Sequence, residues 1–110
     1  MKFAFLIMGN YNSQKDRGEI NGGQARIIGV ASISEAAEIA ARLEEEGVGC
    51  IELCGAFGEE GARAVIEATK NRIPVGYVTH LPEQEEVYRK AFSKCQSGTS
   101  WPLLPFISQS

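Results

Sequence analysis

From residue 26 to residue 92 the chain alternates three times between a short, β-branched apolar run and an amphipathic stretch of about a dozen residues. That order constrains the fold more than any other feature. Parallel strands need a connection long enough to return to the same end of the sheet, and a helix is the usual one. The first unit joins Arg26-Ile27-Ile28-Gly29-Val30-Ala31 to a helix opened by Ser32-Ile33-Ser34-Glu35. This is a capping box, in which the Ser32 hydroxyl takes an orphan N–H and Glu35 reaches back. Ile33, Ala36, Ala37, Ala40 and Leu43 follow at helical spacing, Glu38 and Arg42 stand four apart as an ion pair, and Gly47 supplies a left-handed stop. The second unit runs from Val48 to Cys54 and then, through Gly55-Ala56-Phe57-Gly58, into a helix over 59–70. The third takes 74–79 as a strand and begins its helix at Pro82, where a missing N–H costs nothing, with an end near Phe92.

Upstream, residues 2–8 carry no charge after Lys2 and read as a buried strand, and residues 9–25 are polar and without period, so they read as a long loop. The expectation is an α/β fold with a four-stranded, mainly parallel sheet in the order β-loop-β-α-β-α-β-α, its helices packed on the sheet. If the last three strands follow one another across the sheet, right-handed crossovers put both connecting helices on one face. The other face then needs a cover, and a second copy of the chain is preferred over the long loop or the short tail. We therefore expect residues 1–92 to form one domain and residues 93–110 an apolar, irregular C-terminal tail containing Trp101-Pro102-Leu103-Leu104-Pro105-Phe106-Ile107.

Composition narrows the functional classes. The chain has 110 residues, enough for a core without staples, and its net charge of −3 with no basic, aromatic-interleaved stretch argues against nucleic acid. The apolar start ends at Gly9-Asn10, too early for a signal peptide, and nothing resembles a membrane span, so a cytoplasmic location is expected. Cys50, Cys54 and Cys95 are an odd number without disulfide-framework spacing. On one strand Cys50 and Cys54 would lie roughly 13 Å apart, too far for a disulfide or a shared metal ion. No metal and no cofactor are implied.

Three residues can carry chemistry. Strand alternation sets Ile51 and Leu53 against the helices and turns Cys50, Glu52 and Cys54 the other way. A carboxylate in mid-strand is costly to bury without a partner, so Glu52 is either held within a subunit interface or solvated, or else acts as a ligand anchor or general base. Tyr77, one strand over, is placed on the same face. Cys54 ends its strand at the carboxyl side, where α/β proteins bind ligands, and His80, the only histidine, ends the next. Neighbouring strands would bring the two side by side as a nucleophile and base, against the plainer reading of a small buried thiol. Gly55, Gly58 and Gly61 match neither a dinucleotide fingerprint nor a Walker loop, and Glu59 and Glu60 would repel phosphate; a plain strand-to-helix turn with a close helix contact is expected.

The segments 1–9, Arg26-Ile-Ile-Gly-Val30, Ile51-Glu-Leu-Cys-Gly-Ala-Phe-Gly-Glu-Glu-Gly-Ala-Arg63 and Pro74-Val-Gly-Tyr-Val-Thr-His-Leu-Pro-Glu-Gln84 resemble a family of small prokaryotic proteins, about a hundred residues long, with no assigned activity. The resemblance implies that these segments belong to one unit, and it transfers no activity. The residues themselves favour a homo-oligomer that binds a small polar ligand at the strand ends through Gly55, Gly58, Tyr77 and Thr79. The rivals are a small-molecule enzyme using Cys54 and His80 or Glu52, and an interaction module using the open sheet face and the tail.

Overall fold

The structure, a computed structural model, describes residues 1–96; the tail expected at 93–110 lies outside them except for its first four residues. Those four continue a helix, so the expected end near Phe92 comes a turn too early. The elements are β1 (Lys2–Met8), β2 (Arg17–Ile20), β3 (Ala25–Val30), α1 (Ile33–Glu45), β4 (Val48–Leu53), α2 (Gly58–Ala68), β5 (Val75–Tyr77) and α3 (Glu85–Gln96), with 3₁₀ turns at Gly55–Phe57 and Pro82–Gln84. They form a five-stranded sheet in the order β2-β3-β1-β4-β5. β1, β3, β4 and β5 are parallel, and β2 runs antiparallel to β3.

The fifth strand corrects the four expected. β2 is carved from the segment that reads as a loop, because all of Arg17-Gly18-Glu19-Ile20 is exposed at the sheet edge and shows no apolar alternation. Its turn is made by Asn21, Gly22 and Gly23, all at positive φ, conformations that glycine and asparagine tolerate. β1 also intervenes between β3 and β4, so those two are not immediate neighbours, whereas β4 and β5 are. The strands from β3 onward still progress in one direction across the sheet, and α1 and α2 accordingly cover a single face.

That face is the core. Leu6, Ile28, Ile51, Leu53, Val30, Val48 and Val65 have almost no exposure, and Ala36, Ile39, Ala40 and Leu43 of α1 pack on them. Ser32 caps α1 by accepting from Glu35 N–H at 3.0 Å, whereas the Glu35 carboxylate reaches Ala31 N–H at 2.7 Å, one residue beyond the expected partner. The Glu35 carboxylate also accepts from the Ser13 hydroxyl at 2.7 Å, which pins the loop after β1 to the helix start. Gly61 ends up buried, and a Cβ there would stand 2.8 Å from that of Phe57, which accounts for the third glycine of the turn by helix packing.

Ion pairing differs from the expectation too: among the described residues Glu38 and Arg42 do not pair. Arg72, after α2, instead grips Glu44 near the end of α1 through Nε at 2.7 Å and a second nitrogen at 3.2 Å. This guanidinium bond holds the Glu44 carboxyl below its ordinary value. Since the folded value lies below the unfolded one, the pair stabilises the fold above the unfolded titration, and that contribution is lost as pH falls through the lower, folded value. Arg72→Ala should therefore lower the urea midpoint at pH 7, and the difference from the unsubstituted protein should shrink as pH falls through the lowered Glu44 titration, as measured by chemical denaturation across pH.

Candidate functional site

The carboxyl ends of β4 and β5 open into a cavity of about 550 Å³. Its walls come from three places. Cys54, Gly55, Ala56 and Gly58 belong to the turn between β4 and α2; Tyr77, Val78, Thr79 and His80 leave the end of β5; Glu85, Tyr88 and Phe92 face it from α3. The strand expected over 74–79 stops at Tyr77, with Val78 N–H still donating to Leu53 O at 2.9 Å. The residues beyond therefore become wall, not sheet. Gly55 takes part in the same turn, where a Cβ would lie 3.4 Å from the Val78 carbonyl, so a larger residue would crowd the turn.

His80 is the most constrained polar group of the lining. Its Nε2 lies 2.7 Å from a Glu85 carboxylate oxygen, and its ring stacks on Tyr88 with centroids 3.9 Å apart and planes 12° apart. Tyr88 in turn stacks on Phe92 at 5.8 Å. The bond to His80 lowers the Glu85 carboxyl below its ordinary value, helped by the charge of Arg89. A run of rings therefore climbs α3, and one imidazole edge is fixed by a carboxylate.

Cys54 and His80 reach one cavity, but the structure does not couple them. The Cys54 sulfur lies 3.4 Å from Met8 N–H, while His80 is engaged with Glu85. Gly55, Gly58, Tyr77 and Thr79 all line the same space.

Glu52 belongs elsewhere. It faces the side of the sheet away from the helices, above Gly76, where an added Cβ would meet its Oε1 at 2.9 Å. Its carboxylate is 3.8 Å from the Cys50 sulfur, and burial, followed by the Glu52 charge, pushes the Cys50 thiol up. Tyr77 does not share this face. In parallel pairing, partners point the same way, and Tyr77 pairs with Leu53, whereas Glu52 pairs with Gly76. Tyr77 thus looks to the helix side and the cavity, which corrects the expected Glu52–Tyr77 contact.

Reading strand ends alone misses Ala56, Val78, Glu85, Tyr88 and Phe92. The signal for the last three is their spacing of three and four residues, which lines them along one side of a helix. Among the described residues, no group of three His, Cys, Asp or Glu is placed to hold a metal ion, and no helix is long and apolar enough to cross a membrane.

The model of the family of unknown function DUF6506 matches residues 1–93. The chain belongs to the DUF6506 family. The match spans every strand, both crossover helices and nearly the whole cavity wall, so the fold and the site lie within the DUF6506 unit, with residues 94–110 beyond it. No curated protein and no solved structure matches the chain.

Proposed function

We propose that this DUF6506 protein binds a small molecule in the strand-end cavity, with the polar groups of Thr79, His80 and Glu85 meeting a polar edge and the aromatic and glycine-lined remainder meeting its body. The observation that carries this reading is convergence: Gly55, Gly58, Tyr77, Thr79 and His80, from two strand ends, meet three residues of α3 around one cavity of about 550 Å³. That is an ordinary size for a ligand site in the place where parallel α/β sheets bind ligands. α3 adds weight to it. Over residues 85–93 none is fully buried, and the helix turns Tyr88 and Phe92 to the cavity.

Filling the space tests the reading. Thr79→Trp projects an indole from an exposed backbone position, and it should leave the circular dichroism unchanged while abolishing the thermal shifts that a fragment panel gives the unsubstituted protein. Ligand at a hundred times its Kd stabilises a fold by about 2.7 kcal/mol, several degrees for a domain of this size. A panel that shifts neither protein counts against the proposal.

A homodimer is the second part of the proposal, because α1 and α2 leave the opposite sheet face uncovered. Phe3, Phe5 and Ile7 of β1 lie on it, flanked in register by Ala25, Ile27 and Gly29 on one side and by Cys50 and Glu52 on the other. Among the described residues its Gly29 end is covered by Tyr11, whose ring atoms stand 2.8 Å from where a Cβ would be. Five strands of three to seven residues make a face about 24 Å wide and roughly 10 to 23 Å long, longest at its centre. Two such faces cover roughly 800 to 1,000 Å² in total, the small end of specific interfaces, which fits a weak dimer. The described strand residues on this face include no lysine or arginine to meet a charged partner and are apolar enough to match themselves, so a second copy is its occupant. A cytoplasmic location fits the free thiols of Cys50 and Cys54.

A further inference from the structure

We infer that the cavity takes a flat ring compound that carries an N–H or O–H donor and no negative charge, with His80 accepting that donor on Nδ1 and Glu85 acting as the positioning residue. The inference rests on the binding reading above and adds the chemical class of the ligand.

It starts from hydrogen-bond bookkeeping at one imidazole. An ionised carboxylate only accepts, and the depressed value of Glu85 keeps it ionised at neutral pH, so the His80 nitrogen 2.7 Å away must bear the hydrogen. A neutral imidazole with its hydrogen on Nε2 has a lone pair on Nδ1. Among the described residues Nδ1 has no protein partner, although His80 is part of the cavity wall. While the imidazole is neutral, that second nitrogen is an acceptor in the cavity wall and selects for a donor on the ligand.

Shape and charge supply the rest. His80 and Tyr88 are stacked within 12° of parallel and Phe92 continues the run, so one side of the space is a series of ring faces and edges. Gly55 and Gly58, without side chains, leave peptide surface exposed to the same space. Flat rings pack on such surfaces better than branched aliphatic groups. The lining includes no lysine or arginine, and it includes the Glu85 carboxylate. Among the described lining residues the charged side chain is the Glu85 carboxylate, and the nearby Arg89 already pairs with it at 3.7 Å, so an anion such as a phosphate ester would meet that carboxylate, and the class is neutral or cationic.

His80 is the only histidine of the chain, so its imidazole ¹⁵N signals need no assignment. Three probes separate the elements of the inference: indole, 1-methylindole, which keeps the ring and lacks the donor, and cyclohexanol, which keeps a donor and lacks the flat ring. The free protein should show the Nε2–H tautomer. Indole should shift the Nδ1 signal and bind at least about fivefold more tightly than either control, the ratio expected for one net hydrogen bond of about 1 kcal/mol. Glu85→Gln should erase the preference for indole over 1-methylindole, because an amide can donate to Nε2 and move the hydrogen to Nδ1. A merely structural Glu85 would leave that ratio alone.

An Nδ1–H tautomer in the free protein overturns the role of Glu85. Equal binding of indole and 1-methylindole, abolished by Thr79→Trp, overturns the donor while the binding reading stands. Cyclohexanol matching indole overturns the flat ring. Silence from all three probes, with other fragments still shifting the protein, overturns the class alone; silence from those fragments as well overturns the binding reading.

Discussion

Ile27→Asp is expected to convert the proposed dimer into a folded monomer, read as a halving of the mass by sedimentation equilibrium with unchanged far-ultraviolet circular dichroism. Ile27 lies on the uncovered sheet face and is 40% exposed in the single chain, so a carboxylate there remains hydrated in the monomer. In a face-to-face dimer it would be buried beside Phe5, which is itself flanked by Glu52 on the far side. An unpaired charge taken out of water costs several kcal/mol, and the described strand residues of the face offer no cation to offset it. The dissociation constant should rise at least about a hundredfold, the equivalent of roughly 2.7 kcal/mol. Ile27→Val, which keeps the apolar surface, should change the mass little. An unsubstituted protein that sediments as a monomer at micromolar concentration removes the dimer from the proposal.

The largest loss of stability should follow Leu53→Ala. Leu53 is fully buried, at the end of β4 between β1 and β5, and it pairs with Leu6 on one side and Tyr77 on the other. Truncation removes transfer free energy and leaves a void that two flanking strands prevent from closing, a cost of about 3 to 4 kcal/mol. For a domain of this size that lowers Tm by roughly 12 to 25 °C by calorimetry. The effect should extend to the site, because Leu53 O accepts the Val78 N–H that starts the cavity wall. A loss under about 1 kcal/mol would mean that this part of the core collapses around the gap.

The core was legible in the sequence where a side chain's periodicity and its burial have the same cause. Ser32, Gly47 and the apolar positions of α1 follow from helix geometry, and Ile51 and Leu53 from strand alternation. Single coverage by α1 and α2 follows from the handedness of crossovers, even though β1 enters the order between β3 and β4. β2 is illegible by that route because an exposed edge strand has nothing to bury; the Asn21-Gly22 pair is the local sign of its hairpin. At the site, Cys54 and His80 line one cavity, but not as neighbouring strand ends: Leu53 pairs with Tyr77, where β5 stops, and His80 lies three residues further on. The contribution of α3 was not legible, since spacing identifies a helix side and leaves open whether it meets a core, a cavity or water. The Glu52–Tyr77 contact failed through register: one step along β5 moves a side chain to the opposite face, and periodicity alone does not set the step.

The placement of β1 also governs how the chain can assemble. It is the first strand made and the middle strand of the finished sheet, with β3 and β4 hydrogen-bonded to its two edges. Nothing adjacent to it in sequence can satisfy those edges, since its partners begin at Ala25 and Val48. A nascent chain thus displays Phe3, Phe5, Leu6 and Ile7 on an open strand until β4 has been synthesised, the interval in which edge pairing with other chains competes with folding. The same arrangement ties the two halves of the domain together: without β1, the β2–β3 hairpin and the β4–β5 pair share no strand, and the sheet divides in two.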